Sequence, residues 1–181
     1  MQLAILDRDG VINEMADDCI RTPAEWRPIR GSLEAIARLN QAGWRVVVAM
    51  NQPELASGQC DPNMLARINE TMQRSVRAAG GVIDAVFFCP HDARANCKCR
   101  KPAPGLLLDI ARRLHIKLEA VPVIGDSISD ILAAQSAGAL PMLVKTGNGF
   151  GTASLPELDP AVPVFNDLYS AVDSLLEAHL Q

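Results

Sequence analysis

The sequence predicts an α/β fold, a doubly wound and mainly parallel sheet within a single domain at residues 1–181. An apolar run at residues 3–6 is typical of a buried parallel strand, and further apolar runs alternate with helical patterns along the chain. Acidic residues follow two of these runs, where open α/β sheets place their chemistry. The length of 181 residues is sufficient for one such domain and its core.

Strands and helices are expected to alternate throughout. After the first strand, residues 11–31 show no sustained period and predict a long loop beside the site. Ser32 is expected to cap the first helix, which ends at Gly43, and Asp61 to cap a longer helix. The other predicted strands cover residues 44–50, 82–88, 121–124 and 140–144, and the predicted helices cover residues 33–42, 61–79, 104–115, 128–137 and the chain from about 168.

The composition excludes several classes of function. The formal net charge is -4, and the 17 Lys and Arg residues form no basic block, which argues against a nucleic-acid partner. No apolar stretch is long enough for a bilayer, and the chain starts with a strand instead of a signal segment. We therefore expect a cytoplasmic protein that does not bind a membrane. A monomer is a separate expectation, which the composition does not decide.

The first predicted strand ends in two carboxylates, Asp7 and Asp9. One can serve as a nucleophile and the other as an acid. Clustered acids repel one another unless a cation lies between them, and oxygen ligands favour Mg²⁺. A charged turn after the strand is the alternative interpretation of the motif alone.

Two further elements follow predicted strands. Asp126 comes after Gly125 at the end of residues 121–124, so it is expected at the same sheet edge, although Gly-Asp-Ser can also be a simple helix cap. Lys101 precedes a proline-initiated helix, where its ammonium can neutralise a phosphate held beside the metal. An Arg-Lys pair on a solvated surface is the alternative.

Three of the five cysteines crowd into one short segment with a histidine. The predicted ligands are Cys89, His91, Cys97 and Cys99. Three thiolates and one imidazole match a closed tetrahedral Zn²⁺ site, which would be structural because no position remains for water. Such an ion would hold a loop that lacks apolar anchors. Cys19 and Cys60 are expected to be ordinary thiols.

Four motifs together resemble the haloacid dehalogenase superfamily of phosphatases. The resemblance is carried by Asp7-Arg8-Asp9-Gly10, Asn51-Gln52, Arg100-Lys101-Pro102 and Gly125-Asp126-Ser127. The cysteine-rich loop is similar to that of the small capless branch with a Rossmann-like fold and a zinc-stapled loop. The resemblance implies a magnesium-dependent phosphatase for a small phosphorylated sugar, with histidinol phosphate as the alternative substrate.

The resemblance also implies roles for individual residues. Asp7 would attack phosphorus to form an aspartyl phosphate, and Asp9 would protonate the leaving oxygen and then activate water. Magnesium would be held by the carboxylates of Asp7 and Asp126 and by the Asp9 main-chain carbonyl. Asp130 would support this site from behind.

The resemblance assigns three further residues to the substrate. By the same resemblance, Lys101 would offset charge on the transferring phosphoryl group. Asn51 would contact the phosphate or orient the nucleophile's loop, and Arg100 would bind substrate.

The chain departs from the family pattern in the second motif. Met50 stands where the family has a hydroxyl donor, and Pro53 and Glu54 replace Ser-Gly. A thioether cannot donate a hydrogen bond, proline lacks an N–H, and an inward glutamate would repel phosphate. These changes favour the alternative of a silent homologue that binds phosphorylated ligands or a protein partner. The nucleophile, acid, lysine and metal ligands all remain, however, so a working enzyme with weakened activity is expected.

Overall fold

The computed structural model describes residues 2–16 and 19–179. The strands of this described part are β1 (Leu3–Leu6), β2 (Arg45–Asn51), β3 (Ala85–Cys89), β4 (Pro122–Gly125), β5 (Leu140–Val144) and β6 (Val164–Phe165). Its α-helices are α1 (Ser32–Gln41), α2 (Glu54–Ser57), α3 (Pro62–Ala78), α4 (Gly105–Leu114), α5 (Ile128–Ala137), α6 (Gly149–Thr152) and α7 (Leu168–His179). Short 3-10 helices occupy Pro23–Glu25 and Ala93–Ala95.

The strands form one parallel sheet in the order β3-β2-β1-β4-β5-β6. The order reverses between β1 and β4, where Ile5 pairs with Val123 and Leu6 with Ile124. In open α/β sheets this reversal opens a crevice at the carboxyl ends of the strands. The doubly wound parallel fold is confirmed, and no separate cap domain interrupts the sheet within the described residues.

Side chains alternate between the two faces of the sheet and build a core on each. Ala4 and Leu6 of β1 pack on the face covered by α1, α3 and α7, whereas Leu3 and Ile5 pack on the face covered by α4 and α5. The period of two along a strand that is buried on both faces explains the continuous apolar runs in the sequence.

Most predicted boundaries lie within a few residues of the structure. Asp61 caps α3 as predicted, since its carboxylate accepts a hydrogen bond from Met64 N at 2.9 Å. The expected cap at Ser32 is wrong. Gly31 is the N-cap of α1 with φ of 82°, and Ser32 is the first helical residue. The sequence also gave no signal for β6, α2 and α6, which are short.

Hydrogen bonds hold the described parts of the loop predicted after β1. Ser32 Oγ donates to Ile12 O at 2.6 Å, and Ile29 N donates to the same carbonyl at 2.9 Å. The buried Trp26 donates from Nε1 to Asn13 Oδ1 at 3.0 Å. These bonds fix both ends of the loop beside the carboxyl edge of the sheet.

The described helices include none that is both long and apolar enough to cross a membrane.

The Ser32 contact predicts a measurable loss of stability. In Ser32→Ala the buried carbonyl of Ile12 loses one of its two donors, and the free energy of unfolding should fall by about 1–2 kcal/mol. Chemical denaturation measures the change. Ser154→Ala is the matched control, because Ser154 is exposed and its loss should cost less than about 0.5 kcal/mol. Equal effects in the two variants would contradict the assignment.

Candidate active site and metal centres

A cavity of about 310 Å³ opens at the carboxyl ends of the central strands. Seven residues singled out in the sequence line it together: Asp7, Asp9, Asn51, Arg100, Lys101, Asp126 and Asp130. Loop residues between β1 and α1 form an apolar wall, with Met15, Cys19 and Ile20 among them. Segments separated by more than a hundred residues in the chain therefore meet in one site.

The Lys101 ammonium lies at the base of this cavity. Its Nζ contacts Asp7 Oδ1 at 2.9 Å, Asp130 Oδ1 at 2.5 Å and the Ala49 carbonyl at 2.8 Å. Burial by itself would lower the pKa of Lys101, but the charges of Asp130 and Asp7 outweigh it and raise the pKa. The side chain is thus a permanent cation against the candidate nucleophile.

The carboxylates around Lys101 are crowded. Burial, with the charges of Asp130 and Asp126, raises the pKa of Asp7 to about 8 despite the attraction of Lys101. Burial also raises the pKa of Asp126 to about 6, although the Asn148 main-chain N–H opposes the shift. The fold alone cannot hold every carboxylate ionised at neutral pH, so a divalent cation fits this donor set.

Two glycines shape the surroundings of Asp126. A Cβ at Gly10 or Gly147 would lie 2.2 Å from Asp126 Oδ2, and both glycines have positive φ, +82° and +57°. Asn148 N donates to the same oxygen at 2.7 Å. The main chain of the two glycines therefore lies against the Asp126 carboxylate, and any larger residue at either position would collide with it.

Asp130 lines the cavity, but other groups of the protein occupy its oxygen atoms. Oxygen atoms of Asp7, Asp126 and Asp130 lie within 4.8 Å of one another. Asp130 Oδ2, however, accepts from Ser127 N at 3.1 Å and from Ser127 Oγ at 2.5 Å in a capping box of α5. With its other oxygen on Lys101, Asp130 is a counter-ion, which leaves Asp7 and Asp126 as the candidate magnesium ligands.

Asp9 is held by a buried arginine that sequence reasoning passed over. Arg8 Nε donates to Asp9 Oδ1 at 3.1 Å and Arg8 Nη2 donates to Asp9 Oδ2 at 2.8 Å. Asn13 Nδ2 adds a bond to Asp9 Oδ1 at 2.8 Å. Burial favours a higher pKa for Asp9, but the charge and bonds of Arg8 prevail and lower the pKa. A lone arginine ending an apolar strand was the available signal, whereas nothing marked Asn13.

Asn51 and Arg100 fix the main chain around Lys101. Asn51 Nδ2 donates to Lys101 O at 3.0 Å, and Lys101 N donates to Asn51 Oδ1 at 3.0 Å. Asn51 thus orients the loop of the lysine instead of the nucleophile's loop. Arg100 Nη1 donates to His91 O at 3.2 Å while its side chain borders the cavity.

The side chain of Met50 is not in the cavity wall, contrary to the expectation for the family's hydroxyl position. Met50 is 1% exposed and packs in the core on the α1 face. The same segment lines the cavity through Asn51, Gln52, Pro53 and Glu54. Glu54 does point inwards, and its Oε2 accepts from Gln52 Nε2 at 2.6 Å.

The predicted zinc ligands converge after β3. Sulfur–sulfur distances among the three cysteines are 3.3 to 3.6 Å, and His91 Nδ1 lies 3.5 Å from Cys89 Sγ and 3.4 Å from Cys99 Sγ. Thiolates bound tetrahedrally to one Zn²⁺ would lie about 3.8 Å apart, so the four side chains fit the ion. Cys60 is buried elsewhere.

The thiol environment also suits a cation. Burial raises the pKa of Cys89 to about 12, whereas the Arg100 main-chain N–H, the Cys99 and Cys89 side chains and the Cys99 N–H lower the pKa of Cys97 to about 6 against its desolvation. Three adjacent thiolates repel one another without a metal, so this cluster is built to be neutralised.

Comparison with known families agrees with this site. A family model described as HAD-hydrolase-like matches residues 98–171. The D-glycero-beta-D-manno-heptose-1,7-bisphosphate 7-phosphatase of Bordetella bronchiseptica is 48% identical over 98% of this chain and 99% of its own. The protein of the same name from Pseudomonas aeruginosa is 43% identical over 97% of this chain and 98% of its own.

Solved structures give the same result. The crystal structure of D,D-heptose 1,7-bisphosphate phosphatase from B. bronchiseptica, complexed with magnesium and phosphate, has a TM-score of 0.96 and 47% identity, covering 98% of this chain and 99% of that one. The Burkholderia thailandensis phosphatase has a TM-score of 0.78 and 39% identity, covering 97% and 99%.

Magnesium binding should depend on pH because the raised pKa values of Asp7 and Asp126 require protons to leave. Between pH 8 and 6 the affinity should fall about tenfold per pH unit, as Asp7 protonates, and more steeply below pH 6. Calorimetry in two buffers of different ionisation enthalpy measures the released protons. Asp126→Asn should bind magnesium more weakly and remove the steeper dependence below pH 6. A pH-independent affinity would contradict the proposed ligands.

The purified protein should contain about one zinc per chain, measured by elemental analysis of reduced protein. Cys97→Ser should lower the zinc content and the thermal stability, because one of the four ligands is lost. Cys19→Ser is the matched control, since Cys19 lies outside the cluster, and it should retain the metal. Wild-type protein free of zinc would rule out this site.

Proposed function

The chain belongs to the haloacid dehalogenase-like hydrolases, in the family of the D-glycero-beta-D-manno-heptose-1,7-bisphosphate 7-phosphatases, and we propose that it removes the 7-phosphate of D-glycero-beta-D-manno-heptose 1,7-bisphosphate. The observation that carries the proposal is the meeting of Asp7, Asp126 and Lys101 in one cavity, with Asp9 beside them. A nucleophile, a cation site, a fixed ammonium and a second carboxylate are what phosphoryl transfer through an aspartate requires.

In the first step an Asp7 oxygen forms a bond to phosphorus while the bond from phosphorus to the sugar oxygen breaks. Asp9 gives its proton to the leaving sugar oxygen. In the second step Asp9 takes a proton from water, the water oxygen bonds to phosphorus, and the Asp7–phosphorus bond breaks. The products are the sugar hydroxyl and inorganic phosphate, and Asp7 is restored.

Charge is managed by groups that are already in place. The Lys101 ammonium, fixed by Asp7, Asp130 and Ala49 O, lies where negative charge shifts during transfer. Magnesium, held by Asp7, Asp126 and the Asp9 carbonyl, would supply Lewis-acid stabilisation of the phosphoryl oxygens. Preorganised groups need no rearrangement at the moment of reaction.

Asp9 must be protonated for the first step, although Arg8 favours its ionised form in the free enzyme. A bound phosphate dianion raises the pKa of a nearby carboxyl, since like charges disfavour ionisation. Substrate binding therefore prepares the acid, and departure of the sugar leaves the carboxylate as a base. This sequence matches the order in which the two roles are needed.

Arg100 and Asn51 complete the proposed substrate site. Arg100 is at the cavity border, where its guanidinium can bind a phosphorylated or hydroxylated part of the sugar. Asn51 lines the cavity from the end of β2 and acts through the Lys101 main chain, which its amide holds.

We also propose that residues 1–181 work as one catalytic domain, as a monomer and in the cytoplasm. The single sheet supports the first point, because all six described strands belong to it. The free thiols of all five cysteines, three of them at the candidate metal-binding cluster, suit a reducing compartment. Light scattering and cell fractionation test the other two points.

Phosphate release from the bisphosphorylated heptose, in magnesium and in excess chelator, tests the function. Turnover should require magnesium and exceed that on histidinol phosphate. Asp7→Asn should lower turnover by at least about 1,000-fold while the protein stays folded, because an amide does not attack phosphorus. Near-normal turnover in Asp7→Asn would refute the covalent mechanism, and a preference for histidinol phosphate would overturn the substrate assignment.

A further inference from the structure

Arg8 is a buried charge that none of the steps above uses. Its side chain is 1% exposed, yet it borders the cavity. A buried guanidinium is costly unless its charge is compensated and its N–H groups are bonded. Asp9 is the carboxylate bonded to Arg8. The free-energy cost of burying the guanidinium is therefore offset only while Asp9 keeps its position.

The guanidinium is itself fixed from two sides. Arg8 Nη1 donates to Asn69 Oδ1 on α3 at 3.0 Å, and Arg8 Nη2 donates to Gln52 Oε1 at 3.1 Å. Together with the two bonds to Asp9, these contacts fix the plane of the fork. Residues from three separate segments therefore determine the position of the Arg8 guanidinium.

The Gln52 amide has one orientation. Arg8 Nη2 can only donate, so Gln52 Oε1 must face Arg8, and Gln52 Nε2 donates to Glu54 Oε2 at 2.6 Å. Gln52 N also donates to Cys89 O at 2.8 Å. The amide is thus held at its main chain and at its side chain, and it presents a fixed acceptor to the guanidinium.

We propose that Arg8 is a positioning residue for Asp9, in which the guanidinium fork, set by Gln52 and Asn69, aims the carboxylate at the oxygen of the leaving group. The proposal rests on the function proposed above, since it assigns Asp9 to proton transfer. Proton transfer requires a donor within hydrogen-bond reach of the leaving oxygen, and a misplacement of about 1 Å can cost about 100-fold in rate.

Arg8→Lys tests the proposal, because lysine keeps the charge but offers a point in place of a fork. kcat/KM reports events up to formation of the phosphoenzyme, where the sugar oxygen needs a proton and p-nitrophenolate needs none. We expect kcat/KM for the sugar phosphate to fall about 10- to 100-fold, and that for p-nitrophenyl phosphate to fall less than about threefold. Asp9→Asn sets the largest difference obtainable between the two substrates.

Two further variants separate positioning from general stability. Gln52→Met removes the acceptor that sets Arg8 while leaving the direct bonds to Asp9, so it should give a smaller difference of the same sign. It also serves if Arg8→Lys does not fold. Arg38→Lys is the matched control: Arg38 pairs with Asp173 on α7, away from the cavity, and its replacement should change thermal stability without separating the substrates.

A structural measurement distinguishes failure of this inference from failure of the proposed function. In a crystal structure of Arg8→Lys, or of Gln52→Met, the Asp9 carboxylate should be displaced from its wild-type position. Displacement would support the positioning role even if wild-type enzyme released no phosphate from the heptose, a result that would overturn the function alone. An unmoved carboxylate, or equal losses on both substrates, would overturn the inference.

Discussion

The buried ammonium of Lys101 is the constraint on which the site depends. It can lie at the base of the cavity because Asp7, Asp130 and the Ala49 carbonyl surround it. With Asp126, the three carboxylates carry -3 against +1, which leaves -2 for a divalent cation to neutralise. A divalent cation would therefore balance the charge of the cavity, and the raised pKa values of Asp7 and Asp126 reflect the excess negative charge in the free protein.

The end of β2 connects this charge balance to the cysteine cluster. Gln52 N donates to Cys89 O where the metal-binding loop begins, and the Asn51 amide bonds to both main-chain polar groups of Lys101 where the loop ends. Asn51, the last residue of β2, and its neighbour Gln52 thus hold the two ends of the loop. The loop also folds back on α4, where a Cβ at Gly105 would lie 2.2 Å from Lys98 O. Zinc would close the loop internally, and β2 fixes where its lysine arrives.

The sequence was informative where local pattern and chemistry coincide. Asp7 and Asp126 each follow an apolar strand, and the sequence therefore predicted that they lie close together. The reason is that the carboxyl ends of parallel strands lie at the same edge of the sheet. Prediction from the sequence failed where a contact between residues far apart in the chain determines the local structure. Serine is a residue type that often caps helices, but the Ser32 hydroxyl donates its hydrogen bond to the distant Ile12 carbonyl instead. The clamp of Arg8 on Asp9 depends on Gln52 and Asn69, which no spacing rule relates to the first motif.

The altered second motif shows how the chain accommodates its own departure. The Met50 side chain packs in the core and does not line the cavity. The position at which the family has a hydroxyl therefore supplies no side-chain donor to the cavity here. Glu54 adds a carboxylate to the wall, which repels a phosphate dianion. The Glu54 carboxylate accepts a hydrogen bond from the Gln52 side-chain amide, whose oxygen in turn accepts one from Arg8. In the proposed mechanism, attraction for the transferring phosphate comes from Lys101 and the cation, and the second motif would support the acid Asp9.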